Sequence, residues 1–251
     1  MNRRARPLLG TLVEISASGG DDRAADRAFE AIQLLQIKLS FHDPASELSR
    51  LNGNAHRHPV SVSGDLRRVL ATALRLARLS AGAFDPSAGS PGASFRDIEL
   101  LPGPRVRFRR ALRVDLGGIA KGYCVDRAVA ELRRCGVESG LVNAGGDLRA
   151  FGSCSFPLHL RHPRDLQQLV PLGELRDAAL ATSATYLRGQ ERCAGSAPVA
   201  PGVSVSVRAP RALIADALTK VVAAMGSRAA PILARYRAHA WVVRAPAGAA
   251  A

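Results

Sequence analysis

The chain has 251 residues, 47% of them hydrophobic, enough for one large domain or two small lobes around a shared site. No apolar run reaches the length of a membrane span. The net charge of +14 invites a nucleic-acid reading, but the basic residues are spread along the chain and aromatic residues make up only 4%, so no nucleic-acid surface is expected.

The first sixteen residues are basic, with no apolar segment of signal-peptide length and no cysteine for a lipid anchor, so a cytoplasmic chain is expected. Leu12 to Ser16 reads as a strand with partial alternation. A helix follows over Ala24 to Ser40, with Ala25, Phe29, Ile32, Leu35 and Leu39 on its inner face. Asp43-Pro44 is a turn signal and Ser46 a helix cap. Ser63 caps a helix from Asp65 to Ser80 that turns Leu66, Val69, Leu70, Ala73 and Ala77 inward and ends at Gly82. Gly82 to Pro86 then reads as an Asp-Pro turn with Phe84 plugging the core. Val106 and Phe108 read as an edge strand.

The stretch from Arg113 to Gly152 organises the rest. Val114 to Leu116 reads as a short strand, broken by Gly117-Gly118. A helix opens at Ile119-Ala120-Lys121-Gly122, with Val125, Ala128, Val129, Leu132 and Cys135 as its buried stripe and Gly136 as its cap. Leu141 to Asn143 and Leu148 to Phe151 read as strands around a tight turn at Ala144 to Asp147. A glycine-rich loop running into a helix start suits an anion, because free N–H groups and the helix dipole point at it. Lys121 adds a charge that the dipole would repel unless an anion sits there. The bare pattern fits a plain strand–turn–helix connection without ligand equally well.

Beyond Gly152, Leu158 to Arg161 and Leu169 to Leu172 read as weak strands and Val203 to Val207 as a stronger one. A helix is expected over residues 211–226, apolar on most sides and therefore buried, then a helix over Pro231 to Arg237, a strand over Ala240 to Val243 and a disordered tail. Cys124, Cys135, Cys154 and Cys193 show no CxxC spacing and read as reduced core thiols. Only three of the 35 basic residues are lysines, Lys38, Lys121 and Lys220, a bias that reads as compositional and makes each lysine informative.

The run from Asp115 to Val137 (DLGGIAKGYCVDRAVAELRRCGV), with the VNAGGDLRAFG that ends at Gly152, resembles the central signature of the FAD:protein FMN transferase family (ApbE-type). Further similarities are the Leu9-Gly10-Thr11 element, the Ser46 to Asn52 run, Ala83 to Pro86, the Ala181 to Tyr186 turn and Ala215 to Leu218. They extend the resemblance over roughly residues 7 to 244. It implies an α+β, T-fold-like architecture: a single domain with mixed sheets packed with helices in two lobes around a flavin cleft. It also implies transfer of the FMN half of FAD to a threonine of a target protein, with magnesium and release of AMP. Carried over by motif, the flavin contacts are Leu9, His42, Ala83, Phe84, Asp85, Gly118, Lys121 and Asp126. Asp85 would take a ribose hydroxyl or adenine amine, and Asp126 lies off the apolar stripe of its helix. The metal position falls on Ala120 and Asp216.

Several positions depart from the family pattern. Leu9 stands where methionine is common, His42 where a tyrosine is frequent, and Ala184 where glycine is usual. Residues 187–202 lack the His-x-x-Asp-Pro segment. Lys220 stands where a threonine would ligate magnesium, four residues after Asp216, and is expected to replace the metal. A non-catalytic FAD-binding relative that has lost the metal site is the alternative.

Overall fold

The computed structural model describes residues 1–87, 89–161, 169–184 and 203–244. Thr185, Tyr186, the 187–202 segment, Cys193 and the tail lie outside these residues. A seven-stranded antiparallel sheet forms the frame. Its strands are β1 (Asn2–Leu8), β2 (Thr11–Gly19), β6 (Val137–Ala144), β7 (Asp147–Phe151), β10 (Ala179–Ala184), β11 (Val203–Ala209) and β12 (His239–Arg244), in that spatial order. A smaller sheet, β3 (Val60–Ser61), β5 (Arg105–Phe108) and β4 (Ile98–Leu100), belongs with α2 (Glu47–Asn54) and α3 (Gly64–Leu79). The β8 (Phe156–Arg161) and β9 (Leu169–Leu175) hairpin stands apart.

Each face of the large sheet has its own core. On one face, Val13, Ile15, Val142, Phe151, Ala181, Val205 and Val207 alternate inward against helices, as period two requires. Those helices are α1 (Ala24–Leu39), α4 (Ala120–Arg134) and α5 (Ala212–Met225), with α4 packed between the other two. On the other face, Ala150 and Leu180 pack with Leu158, Leu175 and Ala178 around the β8–β9 hairpin. A half-buried polar knot also ties α1, α3 and α4. Tyr123 donates to Asp65 at 2.7 Å, and Lys38 lies 3.4 Å from the same carboxylate. Burial opposes charge on Asp65, but Tyr123, Lys38 and Arg127 together hold its pKa below the ordinary value.

The expected helices and the main strands are present, with ends shifted by a residue or more. Four segments differ. Asn2–Leu8 is a strand although it is arginine-rich, because Arg3 pairs across to Glu14 while Arg4 and Arg6 reach Asp26 at the start of α1. β5 is the central strand of its sheet, not an edge. Ala181–Ala184, expected as part of a turn, continues β10. Val114 and Leu116 are buried, but the segment joins no ladder. The side-chain amide of Asn52 replaces a partner strand: its Oδ1 accepts from Val114 N at 2.8 Å and its Nδ2 donates to Val114 O at 2.9 Å.

α4 and α5 clasp each other at their first turns. Gly122 N, one of the amides a helix start leaves open, donates to Asp216 Oδ2 at 3.1 Å. Reciprocally, Ala212 N and Leu213 N, at the start of α5, donate to the two oxygens of Asp126 at 3.0 and 3.1 Å. Arg149 reaches Asp126 Oδ1 at 2.6 Å. Asp126 sits four residues beyond the amide α4 offers, and Asp216 four and three beyond the two that α5 offers, so the contact is nearly symmetric. The approach requires glycine, since a Cβ on Gly122 would lie 2.2 Å from Ala212 O.

Gly122→Ala should therefore force the helices apart and cost about 1–3 kcal/mol, read as a lower urea midpoint with unchanged slope. Asp126, expected as a flavin contact, is 3% exposed and engaged at the α4–α5 clasp, so Asp126→Ala strands Arg149 and uncaps α5. We expect a loss of about 3 kcal/mol in the flavin-free protein, measured by denaturant unfolding. Unchanged stability would return Asp126 to a purely ligand-binding role.

Candidate active site

The glycine loop is fixed from both sides. Asp115 N donates to Pro86 O at 2.8 Å, and Asp115 Oδ1 accepts from Gly117 N at 2.7 Å. The loop then closes on itself, with Ile119 N and Ala120 N donating to Leu116 O. Gly118 is buried against the Phe84 ring and the Lys220 stem. A Cβ placed on it would stand 3.4 Å from Phe84 Cε2 and 3.5 Å from Lys220 Cε. Phe84 itself is 2% exposed.

Behind that loop four charges meet. Lys121 Nζ lies 2.8 Å from Asp147 Oδ2, and Lys220 Nζ lies 2.7 Å from Asp216 Oδ1. Both carboxylates are almost wholly buried, while the two lysine side chains keep a small exposed fraction. Burial, and next the charge of Asp216, pushes the Asp147 pKa up against the pull of Lys121 and Lys220. Burial also opposes charge on Asp216, but Lys220 and Lys121 outweigh it and hold that pKa down. A surface Asp–Lys pair at this spacing contributes only about 0.2–0.5 kcal/mol, far too little to draw a lysine into an apolar helix face. The neighbouring Cys124 thiol is pushed up to about 12 by burial and by Asp216, which leaves it an inert core group; Cys135, expected on the buried stripe, is only half-buried.

Two hairpin turns flank this cluster. Leu9 and Gly10 have φ of 57° and 69°, and Gly145 and Gly146 have 61° and 98°, the left-handed pairs of tight two-residue turns. A Cβ on Gly145 would fall 2.4 Å from Thr11 Oγ1, so the turns are in contact. The second turn delivers Asp147 to Lys121.

Phe84, Gly118, Lys121, Asp216 and Lys220 are thus gathered, with Ala120 and Leu9 at the margin. Asp85 is not free to the same degree. Its Oδ1 accepts from Ser87 N and Oγ, and its Oδ2 from Phe95 N at 3.0 Å, so the carboxylate fastens the loop that carries Ala83 and Phe84. Asp126 lies at the α4–α5 clasp. His42 is exposed, edge-on to Phe41 with centroids 5.5 Å apart, and Phe41 is covered by Arg113. Asp147 was not anticipated. The signal was present: an aspartate directly after a Gly-Gly turn in a glycine-rich site. A cavity of about 210 Å³ between β1 and the start of α1 lies at the opposite end of β2 and includes none of these residues.

The expected magnesium position does not suit a divalent ion as the residues stand. Asp216 Oδ1 faces an ammonium and Oδ2 takes the Gly122 amide. Among the described residues no three His, Cys, Asp or Glu side chains gather to hold a metal. An ion at Asp216 would share that carboxylate with Lys220 and be repelled by it.

Comparison with known proteins places the chain as a whole. A protein named FAD:protein FMN transferase from Treponema pallidum is 27% identical, over 89% of this chain and 78% of its own length. One of the same name from Klebsiella pneumoniae is 26% identical over 72% of this chain, which spans 65% of that relative. The flavinyl transferase ApbE of Pseudomonas stutzeri superposes with a TM-score of 0.82 at 21% identity, over 98% of this chain and 92% of that one, so the fold is shared. The model of the ApbE family matches residues 9–243, nearly the whole length, and the chain belongs to that family.

Proposed function

We propose that this chain transfers the FMN moiety of FAD to a threonine hydroxyl of a target protein and releases AMP. The name its relatives carry supports this reading. The observation that carries it is the convergence of Lys121 and Lys220 at a glycine loop that opens a helix. Such a place favours a diphosphate, because the loop backbone allows close approach and the two ammoniums supply opposite charge.

In this reading the threonine Oγ attacks the FMN-side phosphorus and the bond to the AMP oxygen breaks. Phosphoryl transfer asks the protein mainly for positioning and charge stabilisation. Gly117 and Gly118 admit the diphosphate, Lys121 and Lys220 hold its charge, and Phe84 closes the cradle. Asp85 acts by holding the Phe84 loop. The cationic role at Asp216 falls to Lys220 rather than to magnesium.

The test is incubation of the purified chain with FAD and a candidate acceptor, scored by mass spectrometry. The expected outcome is an acceptor heavier by one FMN, with AMP in equal amount, and loss of the adduct when the acceptor threonine is replaced by alanine. Tight FAD binding with no adduct on any cognate acceptor would instead identify a flavin-holding protein.

A further inference from the structure

Lys220 is a lysine in an unusual setting. It lies one turn beyond Asp216 on α5, where every residue from Ala212 to Val222 is buried. Its stem packs toward Gly118, and its ammonium meets Asp216 Oδ1 at 2.7 Å. The carboxylate it meets is anchored on the other side by the Gly122 amide, so the pair is held in one place by both helices. A second ammonium, Lys121, enters the same cluster from α4.

We propose that the site carries its own cation: Lys220, positioned by Asp216, takes the charge-neutralising place of a divalent ion, and a diphosphate nucleotide binds here without metal. The proposal rests on reading the cluster as the diphosphate site. An ammonium brings one positive charge and hydrogen-bond donors, with none of the inner-sphere coordination a metal provides. The pair with Asp216 holds the ammonium in position before the ligand arrives, so no ion has to be recruited and chelation removes nothing.

Two measurements on the full chain test it. The first is FAD titration, followed by flavin fluorescence, in excess EDTA and in excess magnesium. We expect equal affinities in the two. Lys220→Met should weaken binding about ten- to a hundredfold in both, the worth of a charge-assisted contact. Lys220→Arg, which keeps the charge, should retain chelator-indifferent binding and guards against a folding defect in the methionine variant. The second measurement uses manganese as the probe, by electron paramagnetic resonance without nucleotide. We expect no bound manganese in the wild type and a stoichiometric site in Lys220→Thr that is lost on adding Asp216→Asn. Wild-type affinity that collapses in EDTA, or wild-type manganese that disappears in Asp216→Asn, overturns the proposal. Failure of FAD to bind under every condition would instead remove the flavin reading, and the manganese spectra would still decide this one.

Discussion

Two helix starts that answer each other hold this molecule together at its centre. A helix leaves its first amides without partners, and in a buried position they must be met by something. Here α4 meets those of α5 through Asp126, and α5 meets one of α4 through Asp216. The arrangement works only because Gly122 lets the backbones touch. Its by-product is chemical: the first turn of α4 and the first three turns of α5 come into register, so Lys121 and Lys220 end in one cluster although they are 99 residues apart in sequence. The fold constraint and the candidate site are one contact seen from two sides.

That double use explains how the four charges are arranged. An isolated ammonium beside a helix start would be repelled by the dipole, and an isolated carboxylate would be poorly solvated in this interior. Paired as they are, Lys121 with Asp147 and Lys220 with Asp216, the cluster is neutral by formal count. It is not evenly balanced, since burial drives the Asp147 pKa upward while Asp216 stays well charged. A site that recognises an anion with buried lysines needs internal counterions while it waits, and these two carboxylates serve that purpose.

Much of this was legible in the residues. Periodicity placed α1, α3, α4 and α5 to within a residue or two, and the Gly-Gly loop with Lys121 marked the site. The family resemblance supplied Phe84, Gly118 and Asp216, which the structure brings together. What escaped was whatever depends on partners distant in sequence. Val114 to Leu116 looks like a strand by composition, and nothing local announces that Asn52 will take the place of its ladder. Asp126 sits off the apolar stripe of its helix, yet the end of another helix buries it. β1 reads as a basic stretch with no strand pattern until the carboxylates of Glu14 and Asp26 are seen beside its arginines. Asp85 is satisfied by Phe95 across a loop whose closure no periodicity encodes.

The Asn52 strap has a consequence for chemical ageing. Asn52 is followed by Gly53, the pairing in which an asparagine side chain is most readily attacked by the next backbone nitrogen to form a succinimide. Inside α2 the helical backbone turns that nitrogen away from the side chain, and both ends of the amide are engaged by Val114. The reaction is thereby confined to molecules whose α2 has opened. Its product, an aspartate or isoaspartate, has an acceptor where the Val114 carbonyl needs a donor. An aged copy would refold with the segment that carries the glycine loop less firmly fastened, and the damage would surface at the site rather than where it occurred.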